Sequence, residues 1–510
     1  MNSNVTKLIL VIGGAFLFNY LFSNEQMGVN STIYSLLVVV GIRVLHRQAL
    51  KGATTRWLLA AHLFSLAMVV LHNTGLSKMA YSVTLALFAA FALHVHRSAW
   101  FAAGSFLTNA LCMPASFAEN FAPFRVRPFR IKSFSRLFRF ALFPLMLLIV
   151  FFELYSAAND AFRQLRNALG RQLQLFYISF FEVFSIRHFQ FLLLGWFITG
   201  ALLLKSNVAW FIKKEGLCTD ELKRRKVLWG DRAHTPFYQL MSTVMGRFAQ
   251  GMMALKNENV AGIITLILLN AMLLVVNLLD INHLWFNFEY TSEEPAYRMV
   301  HEGTELLIAS IVLAMALLLF FFRGNLNFYR GNKWLRYGAF AWIAQNIVLV
   351  ISVAIRDYYY IARHGLAHKR IGVLLFLLMV VIGLVTVYIK ILRKKTRYYL
   401  FRVNGFACII VLVLASGVHW DELIARYNIQ RKEMVLPDIP FLLQMSDKVL
   451  PLLEAHRDVL KTYQADYQEQ LNKKKAAFIK RQQQLSWLSW NYADASTAAY
   501  YSQHENPVKQ

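Results

Sequence analysis

The sequence predicts an all-α fold: a polytopic helical membrane bundle of about eleven spans, followed by a helical tail outside the membrane. Three observations predict it. The chain has 510 residues, of which 57% are hydrophobic, more than the roughly half that globular domains use, and its mean hydropathy is +0.42. The excess gathers in runs of about 17 to 25 residues, the length that crosses a hydrocarbon core as a helix. Those runs do not alternate polar and apolar residues as barrel strands of about ten residues would, and the chain has only 24 glycines.

The runs fall at 5–22, 29–45, 57–73, 79–96, 137–157, 188–205, 259–281, 303–323, 335–355, 371–392 and 402–418. The first carries a single lysine, Lys7, and its end, Phe18-Asn19-Tyr20-Leu21-Phe22, offers no small-residue cleavage site, so it reads as a retained anchor and not a signal peptide. Loop charge then orients the bundle. Residues 23–30 hold no Lys or Arg, and 43–56 hold four. The connections 205–256, 323–336 and 393–402 are basic, whereas 282–300 contains Glu289, Glu293 and Glu294 with only Arg298. Eleven spans with a cytoplasmic N-terminus put every strongly basic loop inside and the segment from about residue 419 outside.

Trp100 to Phe121 is moderately apolar but is followed by Arg125, Arg127, Arg130, Lys132, Arg136 and Arg139. A full crossing there would invert every later loop, so it reads as a re-entrant or surface-lying segment at the cytoplasmic face. Between 159 and 187, Arg163, Arg166 and Arg171 alternate with Phe162, Leu165 and Leu169 at helical spacing, the pattern of an amphipathic surface helix. Three regions result: an N-terminal four-span bundle with its interfacial segment (1–136), a seven-span core (137–418) and an extracytoplasmic helical tail (419–510). Asp421-Glu422 opens a short helix in the tail, prolines at 437, 440 and 451 break its first part, and Lys473, Lys474 and Lys475 form a basic run. Trp487, Trp490, Tyr492, Tyr500 and Tyr501 cluster near the end, and aromatics of this kind favour headgroup depth. With few aliphatic residues, the tail is expected to dock on the outer mouth of the bundle and not to form a separate enzyme domain.

Lys and Arg number 54 against 28 acids, a formal charge of +26. In a soluble protein that balance would suggest nucleic acid, but here the basic residues sit between apolar runs, so no nucleic-acid partner is expected. Cys112, Cys218 and Cys408 are odd in number and far apart, which gives neither a disulfide framework nor a zinc site. No phosphate loop, nucleophile elbow or H-E-x-x-H motif is present; His301-Glu302-Gly303-Thr304-Glu305 ends in Glu where the second zinc-binding His is required. No cofactor, metal or catalytic residue is therefore assigned.

The candidate polar site lies at the expected outer lip. His301 and Glu305 are four residues apart and share one helical face with Glu302 beside them, at the mouth of an uncharged run from Leu306 to Phe322. Glu153 and Asp160 end one span and Asp280 ends another, at the same expected level. Carboxylates in a first helical turn also complement the helix dipole, so the cluster reads as structural first, with His301 compensating the acids, and as ligand-binding second. Deeper polar residues, His62, Asn270, Gln345 and Asn346, are read as bonding neighbouring helices. His94 and His96, with Arg97, are expected at a cytoplasmic helix end facing phosphates or water.

Several motifs taken together are familiar in order and spacing: Ala157-Ala158-Asn159-Asp160-Ala161-Phe162; Val300-His301-Glu302-Gly303 with Leu306-Leu307-Ile308; His364-Gly365-Leu366 with Arg370; Asp421-Glu422-Leu423-Ile424-Ala425-Arg426-Tyr427-Asn428; Asp438-Ile439-Pro440-Phe441-Leu442 with Pro451; and Trp487-Leu488-Ser489-Trp490-Asn491. They resemble a bacterial multi-spanning membrane family catalogued as a domain of unknown function, the 4153/4173 group. The resemblance implies a bacterial inner-membrane protein and brings no established activity. The function expected is a non-catalytic envelope sensing or organising component, in contact with the lipid bilayer and with another envelope protein through its tail. A transporter or channel for a small ion or solute is the alternative, and a lipid-modifying membrane enzyme the third reading. The sequence leaves the oligomeric state undetermined.

Overall fold

The computed structural model describes residues 3–121, parts of 144–172, and 185–205, 210–224, 254–286, 296–322, 324–430, 438–461 and 466–504. Helices α1 (Ser3–Phe22) and α2 (Val29–Leu45) form a hairpin, followed by α3 (Ala53–Leu71) and α4 (Gly75–Leu93). Thr74 caps α4, its hydroxyl accepting from Ser77 N at 3.1 Å, so this helix starts four residues before the apolar run at 79 and ends before the histidines at its far end. Helices α5 (Ala99–Leu111) and α6 (Met113–Phe121) follow, then α7 (Ile186–Leu203) and the short α8 (Trp210–Gly216). The second half holds α9 (Ala254–Asp280), α10 (Ala296–Phe321), α11 (Lys333–His364), α12 (His368–Leu392) and α13 (Arg397–Ser416).

Among the described residues, eight helices are long and apolar enough to cross a membrane, or nine if the bent pair α5 and α6 is one span. Eleven is not counted among the described residues. The 17 residues of α2 rise about 26 Å, short of a hydrocarbon core of about 30 Å, and the described apolar part of α10 is only Leu307–Phe321. The run at 137–157 lies largely outside the described residues.

The α5–α6 pair bends by 65°. Ser98 ahead of α5, Asn109 within it and Asn120 at its far end bond respectively to Glu215, to Ala201 O and Leu204 O, and to Lys7. These partners belong to α8, the end of α7 and the start of α1, which all lie at one end of the bundle. The segment returns to the end it left.

Two hydrophobic cores fill the bundle. The first joins α1 to α5 and α7, with Tyr34, Val38, Phe88 and Leu203 fully or almost fully buried. Gly14 faces Thr199 and Gly195 faces Ala15 and Phe18, so α1 and α7 approach closely where a Cβ would collide. The second joins α9 to α12 through Leu266, Ile311, Leu335 and Val353. Helix α13 belongs to both: Ile409 and Val413 pack into the first core and Leu400 into the second. Exposed apolar residues such as Ile264, Leu268, Val275 and Leu278 on α9 cover the outside, the surface that hydrocarbon contacts.

Several polar groups inside the bundle bond across helices, where hydrocarbon offers no partner. His62 is fully buried, with ring nitrogens 3.3 Å from Thr84 Oγ1 and 3.2 Å from Ser35 Oγ. Helices α9 and α11 share a longer seam. Asn270 donates to Gly338 O at 3.0 Å and accepts from Gln345 at 2.8 Å, and Asn277 donates to Gln345 O at 3.1 Å. The seam ends in an ion pair between Arg356 and Asp280, both largely buried.

Removing one partner of such a pair leaves an uncompensated buried charge, a cost of about 3–5 kcal/mol. Asp280→Ala is therefore expected to lower the melting temperature in detergent more than the double change Asp280→Ala with Arg356→Ala. Equal losses in the two proteins, measured by tryptophan fluorescence, would show that the pair carries no such coupling.

Candidate functional site

Of the sequence-nominated lip residues, the structure describes the side chains of Glu153, Asp160 and Asp280. Glu153 and Asp160 lie exposed on a partly described helical stretch and pair with Arg166 at 3.3 Å and Arg163 at 2.9 Å. Asp280 pairs with Arg356 of α11. His301, Glu302 and Glu305 lie in the first turns of α10, but their side chains are outside the described residues. The compensating cation that the structure describes for Asp280 is thus Arg356. Among the described residues, no group of three or more His, Cys, Asp or Glu side chains is placed to hold a metal ion.

What the structure does bring together is the other set of sequence motifs, and it brings them to one end of the bundle. After α13 the chain forms α14 (Trp420–Gln430), α15 (Ile439–Gln444), α16 (Leu450–Ala455), α17 (Arg457–Lys461), α18 (Tyr467–Gln484) and α19 (Tyr492–His504). Pro440 and Pro451 stand in the first turns of α15 and α16, where no N–H is required, so they start helices as well as breaking them. Asp438 caps α15, accepting from Phe441 N at 3.1 Å. These helices bury a core of their own, including Ile424, Leu453, Tyr467, Leu471 and Phe478, to which α12 contributes Ile371.

This module is fastened to the connections at that end. The α11–α12 turn has Gly365 at φ 80°, the left-handed region that favours glycine, and the Arg370 guanidinium folds back onto the carbonyls of His364 and Gly365. The exposed main chain of Leu366 is satisfied by one side chain: Asn428 accepts from Leu366 N at 2.7 Å and donates to Leu366 O at 2.9 Å. The last residue of the Ile424–Asn428 motif therefore reads the His364–Leu366 motif. The Trp487–Asn491 motif reaches the α1–α2 connection, where Gln26 N donates to Ser489 Oγ at 2.8 Å and Val29 N to Trp490 O at 3.0 Å. Gly28 lies against Ser489 and Trp490, with backbone where a Cβ would be. Asp421 accepts from Ser446 N at 3.2 Å and pairs with His368 at 2.6 Å.

The third fastening was not visible in the sequence. Asn73, in the α3–α4 connection, has φ 47°, a conformation that asparagine tolerates better than most residues. Lys448 donates to the two successive carbonyls of this turn, His72 O and Asn73 O, the latter at 2.7 Å. Burial, with Lys78 and Arg481 nearby, pushes the Lys448 ammonium down to about 8 despite Asp494 and Asp421. The His72 and His419 rings lie 5.6 Å apart beside it. Burial holds both below the ordinary histidine value, Lys448 adds to that, and Glu422 opposes it. His419 Nδ1 accepts from Glu422 N at 3.1 Å, as a neutral ring does. Burial pushes the Asp421 carboxyl up, and the bonds from Ser446 and His368 outweigh it, so this acid lies below the usual range.

At the opposite end His94 and His96 are both buried and not facing water. Packing of α8 beneath the α4–α5 connection removes them from solvent. The Glu215 carboxylate there accepts from His96 Nδ1 at 2.7 Å, Arg97 N at 3.0 Å, Ser98 N at 2.7 Å and the Tyr398 hydroxyl at 2.8 Å. Burial pushes Glu215 up, and the bonds from His96, Tyr398 and Arg97 bring it below the ordinary carboxylate range.

The family model described as a domain of unknown function (DUF4153) matches residues 9–456. The chain belongs to this family. The match takes in the bundle and the module as far as α16, so the Ile424–Asn428 and Asp438–Leu442 motifs fall within the DUF4153 region and α17 to α19 follow it. No curated protein and no solved structure matches the chain.

The docked end should respond to acid. His72 and His419 titrate below 6.5 when docked, so the undocked state binds protons first as pH falls. The two rings leave docking unaffected above about pH 6.5 and weaken it below. Asp421 stays ionised through that window, and the Lys448 penalty is constant below about 8 and relieved above it. Limited proteolysis is expected to cut between α14 and α15 faster at pH 5 than at pH 7.5, and His72→Gln with His419→Gln should flatten that difference. Unchanged pH dependence in the double variant would remove the two rings from the account.

Proposed function

We propose that this DUF4153 protein is a non-catalytic component of a bacterial inner membrane that senses or organises the envelope through its docked C-terminal module. One observation carries the reading: the motifs at 364–370, 421–428 and 487–491 all serve to hold a module with its own core against the end of the bundle. Residues placed to fix a module suit a protein that presents a surface. A transporter would be expected to spend its polar motifs on a path through the bundle.

The orientation proposed is N-terminus in the cytoplasm and module outside. It is supported by the poverty of Lys and Arg in 23–30, which the module covers, and by the basic connections 205–256 and 393–402, whose described parts lie at the far end. Beside the buried Leu488 and Ser489, the exposed Trp487, Trp490 and Tyr492 stand where a span meets its connection. That position suits rings at headgroup depth, so the module contacts both the membrane surface and a second envelope protein.

With Cys112, Cys218 and Cys408 replaced by serine, a cysteine at Ser502 is expected to react with a membrane-impermeant maleimide in spheroplasts, whereas one at Arg393 reacts only after lysis. The opposite pattern inverts the orientation. Removal of residues 438–510 should leave the bundle in the membrane and abolish co-purification of an envelope partner. Solute flux in proteoliposomes that survives this truncation would favour the transporter reading instead.

A further inference from the structure

A cavity of about 420 Å³ opens at the basic end of the bundle, beside the Glu215 cluster. Its walls are fixed by main-chain pairing: Leu222 N donates to Lys394 O and Thr396 N to Asp220 O, both at 3.0 Å. Among the described residues, three cations, Lys390, Lys395 and Arg397, line it, and no carboxylate does. Lys390 is 2% exposed, and the partner described for its ammonium is the main-chain Phe322 O at 2.7 Å. A buried ammonium with no counter-ion is costly. The neighbouring acids are engaged elsewhere: Glu215 by its four donors, Asp220 by Arg402 at 2.6 Å and Arg97 at 3.5 Å. Among the described residues only the exposed Glu221 approaches, 3.4 Å from Lys395. Among the described residues Arg397 has no ion-pair partner, and it stands at the first position of α13, where free amides add positive potential. The rest of the wall includes Leu217, Leu222 and Phe322.

Three positive groups around an apolar-walled cavity define a ligand that is anionic at one point and greasy beside it. We propose that this cavity binds a phosphate ester, its oxyanion held by Lys390, Lys395 and Arg397 and its apolar part against Leu217, Leu222 and Phe322. A membrane phospholipid supplies that chemistry, and free phosphate supplies its anionic half. The site stands apart from the docked module and does not rest on the role proposed for it.

Cys218 lines the same cavity and reports its occupancy. In a Cys112→Ser, Cys408→Ser background of the full chain in neutral detergent, the alkylation rate of Cys218 is measured against dihexanoyl phosphatidylglycerol, inorganic phosphate and dihexanoyl phosphatidylcholine. Phosphatidylglycerol is expected to slow alkylation at least tenfold, and Arg397→Gln with Lys395→Gln, both near the surface, to abolish the protection without moving the melting temperature of the free protein. Lys390→Met removes the buried cation and should also abolish protection; if it fails to fold, the surface pair still decides. Protection by inorganic phosphate at matching concentration would assign the site to the anion alone and overturn its apolar half. Equal protection by phosphatidylcholine, or protection that persists in the double variant, would overturn the proposal.

Discussion

Hydrocarbon offers no partner to a polar group, and the interior of this bundle is arranged around that constraint. Helices satisfy their own main chain, so what remains are the carbonyls at turns and helix ends and the polar side chains that enter the apolar layer. The recurrent answer is an amide side chain that donates to a carbonyl on another element. Asn109 closes the end of α7, and Asn270 and Asn277 stitch α9 to α11. Asn428 does the same for the α11–α12 turn from outside the bundle. An asparagine suits this because one short side chain offers both donor and acceptor. The same device therefore fixes helix to helix and module to bundle.

The two ends of the molecule meet the constraint differently. At the basic end an acid is the centre: four donors from two elements, the α4–α5 connection and α13, converge on Glu215. At the docked end a cation is the centre, with Lys448 turned onto successive carbonyls. A buried carboxylate with four donors is well satisfied, whereas a buried ammonium with two carbonyls stays near its ionisation limit. The acid at the first end therefore keeps its charge, and the second end holds the rings that acid protonates.

Much of this was legible in the sequence because helical membrane segments announce themselves through length and apolarity. The all-α bundle, the bent segment at 100–121, the polar seam residues Asn270 and Gln345 and the docked tail all follow from local pattern and loop charge. Contacts between distant residues were not legible. Glu215 meets His96 across 119 positions and Lys448 meets Asn73 across 375, and no periodicity records such a pairing. The histidines at 94 and 96 were read as facing water because their neighbours are charged, whereas the packing of α8 against them decides their burial. The prolines of the tail looked like breaks because the residues that make them helix starts, such as the cap at Asp438, are judged only once the turn is seen. For the lip acids, depth was legible but partners were not: Asp280 pairs with Arg356 of α11, 76 positions away.

Helix α13 runs for 20 residues from Arg397 to Ser416, about 30 Å at 1.5 Å per residue. Its first turn borders the cationic cavity and holds Glu215 through Tyr398, and one turn beyond its end His419 and Trp420 begin the docked module. Among the described residues it is also the one helix whose side chains enter both cores of the bundle. A stiff rod clamped between two packed bodies transmits a tilt at one end as a displacement at the other. Helix α12 makes the same span, with Lys390 at the cavity and Ile371 in the module's core, so two neighbouring rods run from one packed body to the other.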